Sequence, residues 1–182
     1  MRTKLSILIS LLYFSSVHLT VSMAQDFPSH HIKLETQDQV NSLLIQYPNC
    51  TEITGALIIG ESIDNLNGLL GITHIHGGIF LANNNQLTNF AGLDSLIYID
   101  KSSDYSYLAY YHEQIIEPGS IDSIAIYGTM SDVSIYIQDN GALQNFDGLE
   151  KLKNIDGSIW IKNNNSLKNL NGLQNIRYPM SR

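Results

Sequence analysis

Residues that could carry catalysis or hold a metal ion are few in this sequence. His74 and His76 are two residues apart, so on a β-strand both would point to one face and could reach one metal ion, and His30-His31 could add ligands. No H-E-x-x-H or comparable spacing accompanies them, and the single cysteine, Cys50, excludes a cysteine-rich zinc site. We therefore expect neither a metal nor another cofactor.

Acid–base catalysis would need a pair of carboxylates facing a substrate. The outward strand positions offer Gln138 and Lys162 but no such pair, and neither a nucleophile elbow nor a glycine-rich phosphate loop is present. We expect a protein without enzymatic activity. A polysaccharide-processing β-helix is a distant alternative.

Residues suited to ligand binding are more prominent than catalytic ones: large apolar and aromatic residues recur at one position of the repeat. If Leu57, Ile79, Ile135 and Ile159 point inward from their strands, the residue after each points outward. These outward residues are Ile58, Phe80, Tyr136 and Trp160. Stacked in register, they would form an exposed column able to bind a sugar ring or a protein. The alternatives are plain cross-strand stacking and coverage by a neighbouring insertion.

A 24-residue repeat must position these side chains. The motif Asn-[Leu/Phe]-x-Gly-Leu occurs four times, beginning at Asn65, Asn89, Asn145 and Asn169. Its separations are 24, 56 and 24 residues, and removing residues 101–132 restores 24 in the middle. Each unit is too small to bury its own apolar face, so stacked units must share one core. Together with period-2 alternation, this predicts a mainly β, parallel β-solenoid of about four coils over residues 50–182, interrupted by the insertion.

Two corners of the coil are expected to repeat as well. Asparagines fall in register just after the strands, where their amides could bond the backbone and one another as a structural ladder: Asn84, Asn140 and Asn164. Glycines fall in register at a second corner, where we expect positive φ: Gly68, Gly92, Gly148 and Gly172.

The two ends of the solenoid are expected to differ. Within an N-terminal segment 25–49, Thr36 and Gln39 form a capping-box pattern, which predicts a helix over about 36–46 that covers the first coil. No comparable segment follows the last coil. We therefore expect that coil to expose apolar residues and a strand edge, and to self-associate or continue into a longer array. Its apolar residues are Ile159, Ile161, Leu167, Leu170 and Leu173.

Residues 1–24 have the pattern of a cleaved secretory signal peptide. Arg2 and Lys4 precede an apolar stretch, and Ser22-Met23-Ala24 places small residues at a cleavage site. An uncleaved membrane anchor is the alternative. The 182-residue chain has 10 Lys and Arg against 17 Asp and Glu, a net charge of −7, and no basic run. We therefore expect a secreted or cell-envelope protein that does not bind nucleic acid.

The insertion at 101–132 is rich in tyrosine. Long loops on solenoids often form the binding face, so four of its tyrosines are candidate ligand contacts: Tyr105, Tyr107, Tyr110 and Tyr111. The alternatives are a tolerated surface excursion and an additional strand over Ile121–Ile126.

The repeats resemble those of receptor L domain-like proteins. The likeness rests on the entry Tyr47-Pro-Asn-Cys50-Thr-Glu-Ile53-x-Gly55, on the repeated Ile-x-Gly-x-[Ile/Leu]-x-[Ile/Leu]-x-x-Asn and on Asn-[Leu/Phe]-x-Gly-Leu. It covers about residues 34–176, apart from the insertion, and extends to secreted bacterial surface proteins, fungal wall proteins and growth-factor receptor L domains. It implies a right-handed, leucine-rich-repeat-like solenoid. Family members often pair the cysteine at position 50 with an upstream one, which this sequence lacks.

The expected function is recognition or adhesion at a cell surface, with a protein or glycan bound by the outer column and the tyrosines of the insertion. The alternative is a structural repeat fragment of a larger surface or cell-wall protein that has no specific ligand of its own.

Overall fold

The computed structural model describes residues 31–101 and 133–177. They contain one α-helix, α1, one short 3-10 helix and nine β-strands. In chain order these are β1 (Ile32–Leu34), α1 (Gln37–Gln46), β2 (Glu52–Ile53), β3 (Leu57–Ile59), the 3-10 helix (Asn67–Leu69), β4 (His74–Ile75), β5 (Ile79–Ala82), β6 (Tyr98–Ile99), β7 (Val133–Gln138), β8 (Asn154–Ile155) and β9 (Ser158–Lys162).

All the strands pair in parallel, in two sheets. One sheet has five strands in the order β1-β3-β5-β7-β9, and the other has four in the order β2-β4-β6-β8. The chain therefore visits the two sheets in turn, once per coil. The prediction of a mainly β, parallel solenoid of about four coils is confirmed.

The pairing of β5 with β7 shows that the 24-residue repeat resumes after the insertion. Ile79 lies opposite Ile135, and Ile135 lies opposite Ile159. Although 56 residues separate the first pair and 24 the second, both are neighbours in the sheet. The insertion thus leaves the stacking of the second coil on the third intact.

One apolar core lies between the two sheets. The four-stranded sheet contributes a column of fully buried isoleucines: Ile53, Ile75, Ile99 and Ile155. The loop after each of the middle strands contributes a phenylalanine, and Phe90 and Phe146 stack with ring centroids 5.5 Å apart. Identical positions of successive coils therefore pack on one another, which explains why the repeat is so regular in sequence.

Glycine is required where the second corner of one coil touches the corner before it. Gly92, Gly148 and Gly172 have φ of 112°, 102° and 101°, and a Cβ there would collide with the backbone of the preceding coil. Gly68 differs from the expectation of positive φ because it lies in the 3-10 helix. A Cβ at Gly68 would nevertheless meet the carbonyl of Val40 in α1.

Helix α1 begins directly after Thr36, within one residue of the predicted start. The Thr36 hydroxyl accepts a hydrogen bond from the Gln39 N–H at 3.4 Å, and the Gln39 side chain accepts one from the Thr36 N–H at 3.1 Å. This reciprocal pair is the capping box. Val40 and Leu43 point from the helix into the core.

Strand β1 is an addition that sequence reasoning did not find. Ile32 to Leu34 pair with Leu57 to Ile59 at the edge of the five-stranded sheet. Three predictions fall outside the described residues: the signal peptide, the tyrosines at 105, 107, 110 and 111, and the alternative strand over 121–126.

Candidate functional site

The outer column of the five-stranded sheet, Ile58, Phe80, Tyr136 and Trp160, is aligned as the repeat predicts. Ile58 lies opposite Phe80, Phe80 opposite Tyr136, and Tyr136 opposite Trp160. However, only Trp160 is exposed, at 37% of its surface, whereas Ile58, Phe80 and Tyr136 retain 4%, 1% and 5%. The expectation of a fully exposed column is therefore wrong for three of its four residues.

These three buried residues belong to a second, smaller hydrophobic cluster on this face. Its members are Ala56, Ile58, Phe80, Ala82, Val133 and Tyr136. The rings of Phe80 and Tyr136 stack with centroids 6.2 Å apart. The sheet is thus apolar and buried on both faces through its middle strands, as is usual for parallel sheets.

The hydroxyl of Tyr136 is satisfied inside this second cluster. It donates a hydrogen bond of 2.6 Å to Oε1 of Gln138, whose Nε2 donates in turn to Asp139 at 2.7 Å. Burial, together with the negative charge of Asp139, raises the pKa of Tyr136 to about 12. Tyr136 therefore acts as a structural residue of the sheet in these coils.

The three ladder asparagines connect successive coils. Asn84 and Asn140 are fully buried. The Asn84 amide donates to the carbonyls of Gly60 and Ile63 at 2.7 and 2.8 Å, and Oδ1 of Asn140 accepts from the Asn84 N–H at 2.9 Å. Oδ1 of Asn164 accepts from both the N–H and the side-chain amide of Asn140 at 3.0 Å. Each side chain thus bonds the coil before it, and the side chain of Asn140 also bonds the coil after it.

The residue before each ladder asparagine adopts a left-handed conformation. Asn83, Asp139 and Asn163 have φ of 57°, 56° and 55°. Sequence reasoning missed this corner, although Asn and Asp are the non-glycine residues that best tolerate such φ values. Their recurrence directly before Asn in three coils was the available signal.

The outer face of the four-stranded sheet carries polar and aromatic side chains. Because the isoleucines of β2, β4, β6 and β8 point inward, the residues before them point outward. These are Glu52, His74, Tyr98 and Asn154, which lie opposite one another in register. With His76 and Asp100, which follow two of the strands, we call this surface the His–Tyr face.

His76 connects three successive coils of the His–Tyr face. Its Nδ1 lies 2.8 Å from Oδ2 of Asp100, and its Nε2 lies 3.2 Å from Oε2 of Glu52. The three residues are spaced by 24, at positions 52, 76 and 100. From the sequence the carboxylates near His74 and His76 look scattered, but the stacking of coils brings two of them onto one imidazole.

These contacts set the protonation behaviour of the face. Partial burial lowers the pKa of His76, but the hydrogen bonds to Asp100 and Glu52 and their negative charges outweigh burial, so the net effect raises the pKa. The hydrogen bond of Tyr98 to Asp100, assisted by burial, raises the pKa of Tyr98 to about 12. Tyr98 is therefore a neutral hydrogen-bonding group at physiological pH.

Aromatic rings lie side by side on the His–Tyr face. The His74 ring stacks on His76 with centroids 6.2 Å apart and lies 6.0 Å from the ring of Tyr98 at an angle of 41°. The side chain of His74 is 35% exposed and that of His76 is 37% exposed. Half-exposed rings beside carboxylates and an amide can bind a ligand. Within residues 31–101 and 133–177, no three His, Cys, Asp or Glu side chains are grouped to hold a metal ion.

The last coil is less well covered than the others. The isoleucines of β9, Ile159 and Ile161, are only partly buried, whereas their counterparts in β3, β5 and β7 are fully buried. Leu167 and Leu173 are also partly buried, and Leu170 is 56% exposed. The expected exposure of apolar residues at this end is therefore present in the structure.

Cys50 lies at the margin of the core and is partly buried. Its thiol donates to the carbonyl of Glu52 at 3.2 Å. Burial raises the pKa of the thiol, which opposes formation of the reactive thiolate. This environment favours a small packing residue over a nucleophile.

None of the helices in the described parts of the chain is both long and apolar enough to span a bilayer. No protein-family model, curated protein or solved structure matches the sequence or its fold significantly. The functional interpretation therefore rests on the chemistry of the surfaces described above.

Proposed function

We propose that the protein is a secreted or cell-surface recognition module, without enzymatic activity, that binds a glycan or protein through the His–Tyr face. The observation that carries this proposal is the row of half-exposed His74, His76 and Tyr98 rings beside the carboxylates of Glu52 and Asp100. The short parallel strands beneath it hold these groups in fixed register, so little conformational entropy is lost when a ligand binds.

A glycan is the ligand class that this face favours. The apolar side of a sugar ring packs on aromatic rings, and its hydroxyls donate to carboxylates and bond amides such as Asn154. Three carboxylates lie on or beside the face, those of Glu52, Asp100 and Asp156, and the whole chain has a net charge of −7. We therefore favour neutral or amino-bearing sugars over sulfated or uronic ones, which the negative field would repel.

Several finer features belong to the same proposal. The receptor L domain-like motifs support a right-handed, leucine-rich-repeat-like solenoid, and the burial of Val40 and Leu43 beneath α1 supports a role of that helix as a lid over the first coil. The pattern of residues 1–24 supports secretion. Trp160, which remains exposed, and the tyrosines at 105, 107, 110 and 111 would form a second contact surface.

A glycan array with the purified, fluorescently labelled protein tests this proposal. We expect binding to neutral or amino-bearing glycans, and loss of about tenfold in affinity for a His74→Ala/Tyr98→Ala variant, since aromatic contacts contribute about 0.5–1.5 kcal/mol each. Ile45→Ala, which removes an exposed apolar side chain from α1, is the control and should bind as the wild type does. Undiminished binding by the double variant would refute the His–Tyr face as the site.

A specific observation also favours a structural role in a larger array. The partly buried Ile159 and Ile161 and the exposed Leu170 offer an apolar end on which another coil could stack. Oδ1 of Asn140 and of Asn164 each accept from the coil before, so a further coil would extend the ladder. Light scattering over a wide concentration range tests this structural role. We expect the protein to associate as its concentration rises, and a strictly monomeric protein would contradict the role.

A further inference from the structure

Both ring nitrogens of His76 face a carboxylate oxygen, and each carboxylate belongs to a different neighbouring coil. Asp100 follows β6, while Glu52 lies in β2, and the ring of His76 follows β4 between them. The nitrogen–oxygen distances are 2.8 and 3.2 Å. A single side chain therefore ties the first, second and third coils together across the outer face of the four-stranded sheet.

The hydrogen-bonding capacity of imidazole fixes what charge this arrangement requires. A neutral histidine has one N–H and one lone pair, whereas the protonated ring has two N–H donors. Carboxylates are acceptors only, so the neutral ring can satisfy just one of them and would turn its lone pair towards the other. Only the imidazolium donates to Glu52 and Asp100 at the same time.

We propose that His76 is a pH-sensitive latch that joins three coils when its ring is protonated and releases one of them when the proton leaves. This inference goes beyond the proposed function and does not depend on it. The latch responds to pH because the loss of one proton from the ring leaves a single hydrogen bond where two had joined the carboxylates. The two acidic groups then lose the cation that lay between them.

Other titratable and charged groups lie around the latch. His74, in β4, stacks against His76, and the Nδ1 of His74 lies 3.8 Å from Oε1 of Glu52. Tyr98 of β6 bonds Asp100, which directly follows that strand, and Lys101 is next along the chain. One coil further, Asp156 follows β8 and adds negative charge near Tyr98.

The direction of the pH effect follows from the raised pKa of His76 in the folded protein. The ring holds its proton more tightly when folded than when unfolded, where an ordinary histidine titrates near pH 6.5. The stabilisation is thus fully present below about pH 6.5 and is lost as the pH rises through the higher folded value. The side chains are 29–53% exposed, so salt will screen the latch.

Thermal unfolding of the full chain between pH 5.5 and 8.5 tests the latch. We expect the melting temperature of the wild type to fall by about 2–4 °C more across this range than that of His76→Gln. Asp100→Asn should flatten the profile in the same way. Asp156→Asn, which makes the same chemical change one coil further away, is the control and should follow the wild type.

NMR titration of the His76 ring provides a readout that folding defects do not mimic. We expect a pKa above that of an ordinary histidine in the wild type, a lower value in Asp100→Asn, and a partial loss of the elevation in 1 M salt. Parallel melting profiles for wild type and His76→Gln, or a His76 pKa at or below about 6.5, would overturn the proposal.

Discussion

Asn140 illustrates how a single polar residue can fix the stacking of coils. Its side chain is fully buried, and its amide donates to the carbonyl of Leu81 at 3.2 Å and to Oδ1 of Asn164 at 3.0 Å. A buried amide is costly unless bonded, so any slip of one coil against the next would leave these groups unsatisfied. The ladder therefore contributes to the uniqueness of the register as much as to stability.

Replacing Asn140 with Ala should destabilise the protein by about 1–3 kcal/mol, because the Leu81 carbonyl and the Asn84 N–H would lose their buried partner. Urea unfolding measures this free energy. The matched control is Asn165→Ala, at an exposed asparagine next to Asn164. It should change the free energy of unfolding by no more than about 0.5 kcal/mol. Equal effects of the two substitutions would show that the ladder is not structural.

At the scale of elements, the five-stranded sheet separates two apolar regions. In β7 every residue from Val133 to Gln138 is buried, inward and outward positions alike. By contrast, β9 alternates between exposed and partly buried residues. The outer face is therefore closed along its middle strands and opens at the fourth coil.

Phe80 and Trp160 occupy equivalent positions in two coils but should respond differently to truncation. Phe80→Ala should cost about 3–5 kcal/mol because it empties a site that is 99% buried, whereas Trp160→Ser should cost less than about 1 kcal/mol. Urea unfolding of both variants checks the contrast. Small and similar losses would mean that the outer face is open to water.

Trp160 offers a second check at this scale because it is the only tryptophan in the chain. At 37% exposure, its emission should be red-shifted and quenched by acrylamide. Blue-shifted emission that acrylamide does not quench would contradict the exposure of the fourth coil.

The repeat predicts the strand register well, because period-2 alternation and 24-residue spacing together leave one way to stack the coils. It does not predict exposure of the outer column. An apolar residue such as Phe80 is compatible with a surface or with a second core, and periodicity identifies the face but not what lies on it. Strand β1 was missed because Ile32 to Leu34 precede the repeat and carry none of its motifs.

Half of the bridge at His76 could have been found from the repeat. Asp100 lies 24 residues after His76, at the equivalent position of the next coil, so an alignment of coils places this acid beside the histidine. What the alignment does not give is the side-chain reach, since Glu52 lies in register with His74 and contacts His76 diagonally. Distances of this kind depend on rotamers, which the sequence pattern leaves open.

For the whole molecule, the coils on either side of the insertion stack as if it were absent. Ile79 pairs with Ile135, and the Asp156 N–H bonds the Ile99 carbonyl at 3.1 Å. Among the strand pairs of residues 31–101 and 133–177, a register shift occurs between Val133 and Ile135, where β7 begins to pair with β9. The register between the coils on either side of the insertion is thus set without the 32 residues at 101–132.

Deleting residues 101–132, so that Asp100 is joined to Val133, should leave a folded solenoid. The coil that results has the length of its neighbours, and the pairs between β5 and β7 are unchanged. Far-UV circular dichroism should retain a β-type spectrum and urea should unfold the protein in one cooperative transition. A non-cooperative transition would show that the insertion is needed for folding.

The central functional claim is that the His–Tyr face binds the ligand, and the most direct test is to map that contact by NMR. A neutral or amino-bearing glycan selected on the array is titrated into the protein while the side-chain resonances of His74, His76, Tyr98 and Trp160 are followed. We predict saturable shifts at His74, His76 and Tyr98. Shifts confined to Trp160, with the His–Tyr face unchanged at saturation, would contradict the account.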